Sequence, residues 1–342
     1  MKPLDGIHHV TAMTSDAERI YTFFTAVLGM RLVKKTVNQD DVSAYHLFFA
    51  DDEGRAGTDM TFFEFPAANR GRDGTDAIVT TSFRVADDAA IAYWLKRFNR
   101  FGVEHDDVRT LFGAKTLPFV DFDGQRYQLI SDRFDTGVAS GRPWKNGPVP
   151  HAYAITGLGP VVVRVSSFEE FKARLEDVYM FEETAVEGAF HLFETGRGGH
   201  GASIVVEDAP TLLPARQGIG SVHHVAFRVE DLDALKRWIE RYRRFGIRHS
   251  GHVERYYFDS LYARAGKGVL FEIATDGPGF RIDEPYDTLG ERLSLPPFLE
   301  AHRKAIERRL RDFDTGRSTR DFSKEDSFKL KGVNRLRRVE DT

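Results

Sequence analysis

A β-type run, an amphipathic helix stopped by glycine, and further β-type runs recur four times along this chain, which constrains its fold more than any other feature. The first copy reads as a strand over 6–12, a helix over 16–28 and strands around 31–36, 45–49 and 58–65. Ser15 or Asp16 can cap that helix, and Gly29 ends it. The second copy has a strand over 77–85, a helix over 88–101 before Gly102, and a last strand over 126–131. The third spans 159–207, with a strand over 161–165, a helix over 167–178 and a final strand over 202–206. The fourth begins at Ser221, carries a helix over 232–245 before Gly246, and closes with a strand over 268–274. Gly29 and Gly102 are 73 residues apart, and Gly102 and Gly246 are 144 apart, close to two further periods. Mixed helix and strand at so long a period predict an α+β chain of four βαβββ-type modules, not a stacked solenoid.

The Gly- and Pro-rich stretch after Asp135 is the best divider. The expected layout is modules 1 and 2 over 5–134, a linker over 135–152, and modules 3 and 4 over 153–276. A C-terminal extension over 277–312 follows, with Leu295-Pro296-Pro297 leading into a helix over 298–310, then a partly ordered tail over 313–342.

Composition narrows the chemistry. No cysteine is present, which excludes disulfides, zinc-thiolate sites, iron–sulfur clusters and thiol nucleophiles, and leaves His, Asp and Glu for any metal. No apolar run approaches the roughly eighteen residues of a membrane span, and no basic segment followed by an apolar one opens the chain, so a cytoplasmic location is expected. The net charge of -4 is uneven. Residues 301–342 hold 13 Lys+Arg against 8 Asp+Glu, leaving 35 against 44 in the body, an acidic balance that argues against nucleic-acid binding.

Two His-His pairs stand in matching apolar runs, Ile7-His8-His9-Val10 and Val222-His223-His224-Val225. Twelve histidines in this length give about 0.4 such pairs by chance, so the pairs point to one unit used twice. Successive strand side chains face opposite ways, so one histidine of each pair can point into a given concavity. We take the second of each: His9 shares its face with Thr11, and His224 shares its face with Ala226, which leaves room for ligands. His8 and His223 are then expected on the other face or turned to the rim. Glu272 lies among apolar neighbours in Val269-Leu270-Phe271-Glu272-Ile273-Ala274, where an unpaired carboxylate is costly. Metal coordination resolves that cost. His9, His224 and Glu272 make a two-histidine, one-carboxylate set, the donor pattern of non-haem Fe(II) oxygenases.

At this point the chain resembles the vicinal oxygen chelate superfamily, and within it the ring-cleaving dioxygenases of hydroquinones, over about residues 5–310. The likeness rests on Gly6-Ile7-His8-His9-Val10-Thr11, Tyr45-His46-Leu47 with Phe48-Phe49-Ala50-Asp51, and Gly57-Thr58-Asp59-Met60-Thr61. It continues through Val222-His223-His224-Val225-Ala226-Phe227, Arg255-Tyr256-Tyr257-Phe258 with Tyr262, Phe271-Glu272 and Leu295-Pro296-Pro297. The resemblance implies modules paired into two open β-barrel-like cups, the first and fourth sharing the metal and the other two forming a metal-free cup. It also implies Fe(II), or Mn(II) in its place, on His9, His224 and Glu272, with His8, Thr11, His223, Arg255 and Tyr262 around them as catalytic residues. A small aromatic substrate and O2 would be the partners, with no nucleic acid and no membrane, in a homo-oligomer. The absence of cysteine suits contact with thiol-reactive quinones.

Glu64 is a conceivable fourth ligand but is left out, because the family register puts Thr61 at the ligand level. Tyr256 stands where the chlorinated-hydroquinone enzymes are similar to glycine. His46, His191, His200 and His249 have no comparable grouping and read as surface or packing residues. Two other functions stay open: a glyoxalase-like metal-dependent lyase or transferase, which works without O2, and a non-catalytic protein that binds an aromatic or antibiotic.

Overall fold

The computed structural model describes residues 1–317. Four copies of one βαβββ order are present. Module 1 comprises β1 (Ile7–Thr14), α1 (Ala17–Thr22), β2 (Arg31–Val37), β3 (Tyr45–Ala50) and β4 (Asp59–Glu64). Module 2 comprises β5 (Ala77–Val85), α2 (Asp88–Phe101), β6 (Arg109–Leu111), β7 (Ala114–Val120) and β8 (Arg126–Ser131). Module 3 has β9 (Ile155–Val165), α3 (Phe168–Asp177), β10 (Glu182–Glu187), β11 (Phe190–Glu194) and β12 (Ser203–Asp208). Module 4 has β13 (Val222–Val229), α4 (Leu232–Arg244), β14 (Val253–Glu254), β15 (Phe258–Arg264) and β16 (Leu270–Pro278).

Three of the four module helices start on an Asp side-chain cap; α3 starts at Ser167, whose side chain makes no capping bond. Asp16, Asp87 and Asp231 accept hydrogen bonds from the backbone N–H three residues on, satisfying donors that the helix leaves free. Gly102 ends α2 at φ +66°, a left-handed conformation that costs a residue with a Cβ but not glycine. Helix α1 runs into a π-helical turn over Phe23–Val27. Its carbonyls at Ala26 and Val27 accept from the buried guanidinium of Arg97 on α2 at 2.9 and 2.8 Å, so one module caps another.

The modules pair into two curled eight-stranded sheets, ordered β14-β15-β16-β13-β1-β4-β3-β2 and β10-β11-β12-β9-β5-β8-β7-β6. Module 1 therefore joins module 4, and module 2 joins module 3. The two halves on either side of the linker are not separate folding units, since each sheet takes one module from each half. The seams are antiparallel, β1 against β13 and β5 against β9. Within a module the first and last strands run parallel. The helices cover the outer faces, where Trp94, Phe98, Trp238 and Tyr242 are buried against the sheets; each such ring removed from water contributes roughly 2–3 kcal/mol.

The 135–152 segment is docked. Trp144 and Val149 are buried, and the Arg142 and Lys145 N–H groups donate to Asp51 and Asp52. The helix expected over 298–310 is instead two short turns, α5 (Pro297–Glu300) and α6 (Arg303–Glu307). Ile306 and Leu295 anchor this segment on Val37, and Arg303 reaches the Leu293 carbonyl at 3.1 Å. The start of the expected tail is also docked: Phe313 packs on Tyr45 and Tyr21, and buried Arg317 donates to the Leu32 carbonyl at 2.8 Å. The remainder, 318–342, lies outside the described residues. Among the described residues no helix is long and apolar enough to cross a membrane.

Candidate metal centre

The sheet of modules 1 and 4 brings the two chain-distant histidines together at its seam. His9 Nε2 and His224 Nε2 lie 3.1 Å apart, and Glu272 Oε2 is 3.2 Å from the first and 2.9 Å from the second. A divalent ion held at about 2.1 Å needs its donors about 3.0 Å apart at right angles, or about 3.4 Å apart in a tetrahedron. The observed spacing fits three mutually adjacent corners of an octahedron, the facial arrangement of a two-histidine, one-carboxylate site.

Hydrogen bonding decides which nitrogens are free. Buried His8 donates from Nε2 to the Thr275 carbonyl at 3.1 Å, which leaves its Nδ1 as an acceptor. His9 Nδ1, 2.9 Å away, must then carry the proton, so His9 Nε2 presents a lone pair to the cluster. The second pair repeats the contact, with His223 Nδ1 at 2.7 Å from His224 Nδ1. Glu272 Oε1 accepts from Ser260 Oγ at 2.5 Å, while Oε2 has no hydrogen bond of acceptable geometry despite complete burial. Lone pairs converging in a dry site repel one another, and a cation removes that repulsion.

Burial alone would raise the Glu272 carboxyl, but protons on His9 and His224 outweigh it and hold it well below the usual carboxylate range, and a cation would take the place of those protons. Burial lowers His224, and lowers His8 and His223 to about 3, each helped by its neighbouring imidazole. Neutral imidazoles are the form that binds a metal.

His8 and His223 do not point to the opposite face. The register of β1 against β13 slips at two places, so that His8 is the extra residue between Ile7 and His9, and His223 the extra residue opposite the Thr11–Ala12 step. Each bulge turns the first histidine of its pair back against the second. The outer edge of His223 borders a solvent-open hollow of about 400 Å³ at the seam. Thr11 also joins the cluster, its Oγ1 being 3.0 Å from His224 Nε2.

Tyr262 and Arg255 stand at the pocket over the cluster. The Tyr262 ring meets His224 edge-on at 5.8 Å, and the Arg255 guanidinium lies 5.5 Å from the Tyr262 ring. Asp40, from the β2–β3 loop, holds Arg255 through two contacts of 3.1 and 2.8 Å, and Gln39 donates to the Arg255 carbonyl at 2.8 Å. Phe48, Phe63 and Phe258 give the pocket aromatic walls, and about 50 Å³ of space remains, room for a few waters. Tyr256 adopts φ +66°, a region that favours glycine.

Some of the pocket escaped sequence reasoning. His46 packs between Phe48 and Phe63, as a packing residue would, and also lines this pocket. Ser260 sits two residues before Tyr262 on the same strand face, so alternation would have found it; Asp40 is on a loop and carried no signal. Glu64 faces away and accepts from the Ala17 N–H at the start of α1. The second cup has no counterpart of the cluster. Its register puts Gln128 where Glu272 stands, bonded to Ser82 Oγ at 2.8 Å, and Thr80 where His224 stands. A separate Asp132, Asp135 and His200 group is bridged by Arg84, which donates to both carboxylates at 2.7 Å.

Paired βαβββ modules that close a cup on such a donor set define a vicinal oxygen chelate protein. Residues 6–129 match the Glyoxalase/Bleomycin resistance protein/Dioxygenase superfamily. The chain is 42% identical over 313 residues to MhqA of Bacillus subtilis (strain 168), provisionally designated a ring-cleaving dioxygenase, covering 90% of this chain and 98% of that one. It is 29% identical over 320 residues to the chlorohydroquinone/hydroquinone 1,2-dioxygenase of Sphingobium indicum, covering 90% and 97%. A crystal structure of a provisionally designated dioxygenase from Bacillus subtilis superposes with a TM-score of 0.85 at 33% identity, covering 92% of this chain and 99% of that one. The chain belongs to the glyoxalase/bleomycin resistance protein/dioxygenase superfamily.

Proposed function

We propose that this protein is a ring-cleaving dioxygenase of hydroquinones, with Fe(II), or Mn(II) in its place, held by His9, His224 and Glu272. The observation that carries the reading is the convergence of those three donor atoms, within 3.2 Å of one another, beneath an aromatic-walled pocket. Similarity to a hydroquinone 1,2-dioxygenase supports the substrate class. In such a reaction both atoms of O2 enter the product, one ring C–C bond breaks, and no external reductant is consumed. The bond cut is one beside a hydroxyl-bearing carbon, the extradiol type.

When bound, the metal supplies a place where phenol and O2 meet and exchange electron density. The side chains do the rest. Phe48, Phe63 and Phe258 orient the ring and exclude water. Arg255 sets a positive charge where the substrate oxygen becomes anionic, and Tyr262 offers a hydroxyl to the same place. Burial holds the Tyr262 hydroxyl in its protonated form, so it acts as a donor. His8 and His223 fix the ring orientation and tautomer of the two histidine ligands, and Thr11 places a hydroxyl at the cluster. The enzyme would act in the cytoplasm, as a homo-oligomer, on a small aromatic substrate and O2.

Anaerobically iron-loaded protein mixed with hydroquinone and air should consume O2 as the aromatic ultraviolet band disappears. Alanine at His9, His224 or Glu272 should abolish iron retention. Metal-loaded protein that turns over none of a panel of hydroquinones and catechols would overturn the assignment, and O2-independent turnover would favour a lyase.

A further inference from the structure

Beta-strand alternation brings Thr61 on β4 and His46 on β3 to the concave face of the metal cup. Thr61 pairs with Thr11 across the β1–β4 ladder, and their hydroxyls are 2.8 Å apart. Thr61 Oγ1 is in turn 3.0 Å from His46 Nε2. With the 3.0 Å contact from Thr11 to His224 Nε2, three hydrogen bonds run without a break from the ligand cluster to a histidine that lines the pocket. Thr11 and Thr61 are fully buried, and each hydroxyl bonds only within this chain. A hydroxyl both donates and accepts, so two in series can pass a proton by reversing direction together.

His46 is suited to the far end. Its ring lies between Phe48 and Phe63, with centroids 4.0 and 4.3 Å away, which fixes its plane. Burial first, then His9 and His224, lowers its proton affinity, so it rests neutral with a ring nitrogen free to accept, and a proton it takes up is readily given back. A ring that only filled space between two phenylalanines would not need a hydroxyl partner that continues to the ligands.

We propose that His46, acting through Thr61 and Thr11, is the proton-relay residue for ring opening. This rests on the dioxygenase reading above. A proton released by the phenol beside Thr11 is taken up by Thr11 Oγ1 while the proton of Thr11 passes to Thr61 Oγ1 and that of Thr61 passes to His46 Nε2. The result is a phenolate and an imidazolium, with no electrons transferred; the product regains the proton by the reverse shift. The relay also fixes a tautomer. Once a metal occupies the His224 Nε2 lone pair, the Thr11 hydroxyl turns to Thr61, Thr61 turns to His46, and His46 keeps its proton on Nδ1.

Two measurements test this. Nitrogen-15 NMR of histidine-labelled protein loaded with diamagnetic Zn(II) should show His46 protonated at Nδ1 and bare at Nε2; a proton on Nε2 in the loaded protein overturns the relay whether or not the protein turns over hydroquinone. In iron-loaded protein, His46→Gln and Thr61→Val should each lower kcat tenfold or more, with iron content and KM within about twofold of wild type. Thr61→Ser, which keeps the hydroxyl, should recover to within about threefold, and the solvent deuterium isotope effect on kcat should change in His46→Gln. Wild-type kcat and isotope effect in His46→Gln, or equal losses in Thr61→Val and Thr61→Ser, would overturn it. An inactive wild type would count against the dioxygenase reading and leave the NMR result to judge the relay.

Discussion

Replacing His8 with alanine should weaken metal binding without unfolding the protein, and the size of the loss follows from one hydrogen. His8 Nδ1 is the acceptor for the His9 Nδ1–H, 2.9 Å away, in a site where His8 is 3% exposed. In the metal-free variant His9 can move its proton to Nε2 and donate to Glu272 Oε2, 3.2 Å distant. The metal forbids that escape, because it needs the Nε2 lone pair. The stranded Nδ1–H therefore burdens the loaded state alone, at about 1–3 kcal/mol for a buried unsatisfied donor. That corresponds to an affinity roughly 5- to 150-fold lower, comparable with what outer-shell partners of metal-bound histidines usually contribute. Chelator competition with Mn(II) gives the dissociation constant, and thermal unfolding of the metal-free variant checks the fold. His223→Ala is the internal comparison: its ring is half-buried beside a solvent-open hollow, so water can replace its nitrogen and the loss should be smaller. A folded His8→Ala variant with wild-type affinity, or a His223→Ala variant that loses more, would refute the reasoning.

The remaining perturbations probe other parts of the molecule. Asp40→Asn should leave stability within about 1 kcal/mol, since Asp40 is exposed, yet raise KM several-fold in O2-uptake assays because Arg255 loses its anchor over the pocket. Asp121 is pushed up to about 7, by burial and then by Asp123. Its folded-state pKa exceeds the unfolded one, so its contribution to stability is complete below about pH 4 and declines as pH rises to about 7. In denaturant titrations, Asp121→Asn should therefore gain on wild type across that window and keep a constant difference above it. Arg97→Leu leaves the Ala26 and Val27 carbonyls unpaired beneath α2 and should cost on the order of 3 kcal/mol in urea unfolding.

The modules were legible because each signal is local: an Asp cap, an apolar stripe, a glycine at the helix end. The three candidate metal donors came from a related signal, since strand parity separates His9 from His8 and Glu272 is a carboxylate in an apolar run. Parity failed at the first histidine of each pair. A bulge is a mismatch between two strands, and neither Ile7-His8-His9 nor Val222-His223-His224 reveals that its partner strand is one residue short. His46 was illegible for the same kind of reason: its significance depends on Thr61 from the next strand and Thr11 from the one beyond. The continuous helix expected over 298–310 is two short turns, and no local signal in 298–310 marks the break between them.

The two cups show why duplicating a fold does not duplicate its site. In the second cup Gln128 donates to Ser82, and Ser82 in turn donates to the Pro160 carbonyl, so the inward polar groups satisfy one another. In the metal cup the equivalent strand offers Glu272, whose Oε2 faces nitrogen lone pairs and has no proper donor. A buried acceptor without a donor is a cost that packing cannot remove, whereas a cation removes it at once. The same backbone thus yields one cup that is complete as folded and one that a cation would complete. That incompleteness sits on the seam joining modules 1 and 4, where β1 (Ile7–Thr14) pairs with the chain-distant β13 (Val222–Val229). Metal binding at this seam would therefore stabilise the long-range pairing itself, by an amount that grows with metal concentration relative to its dissociation constant.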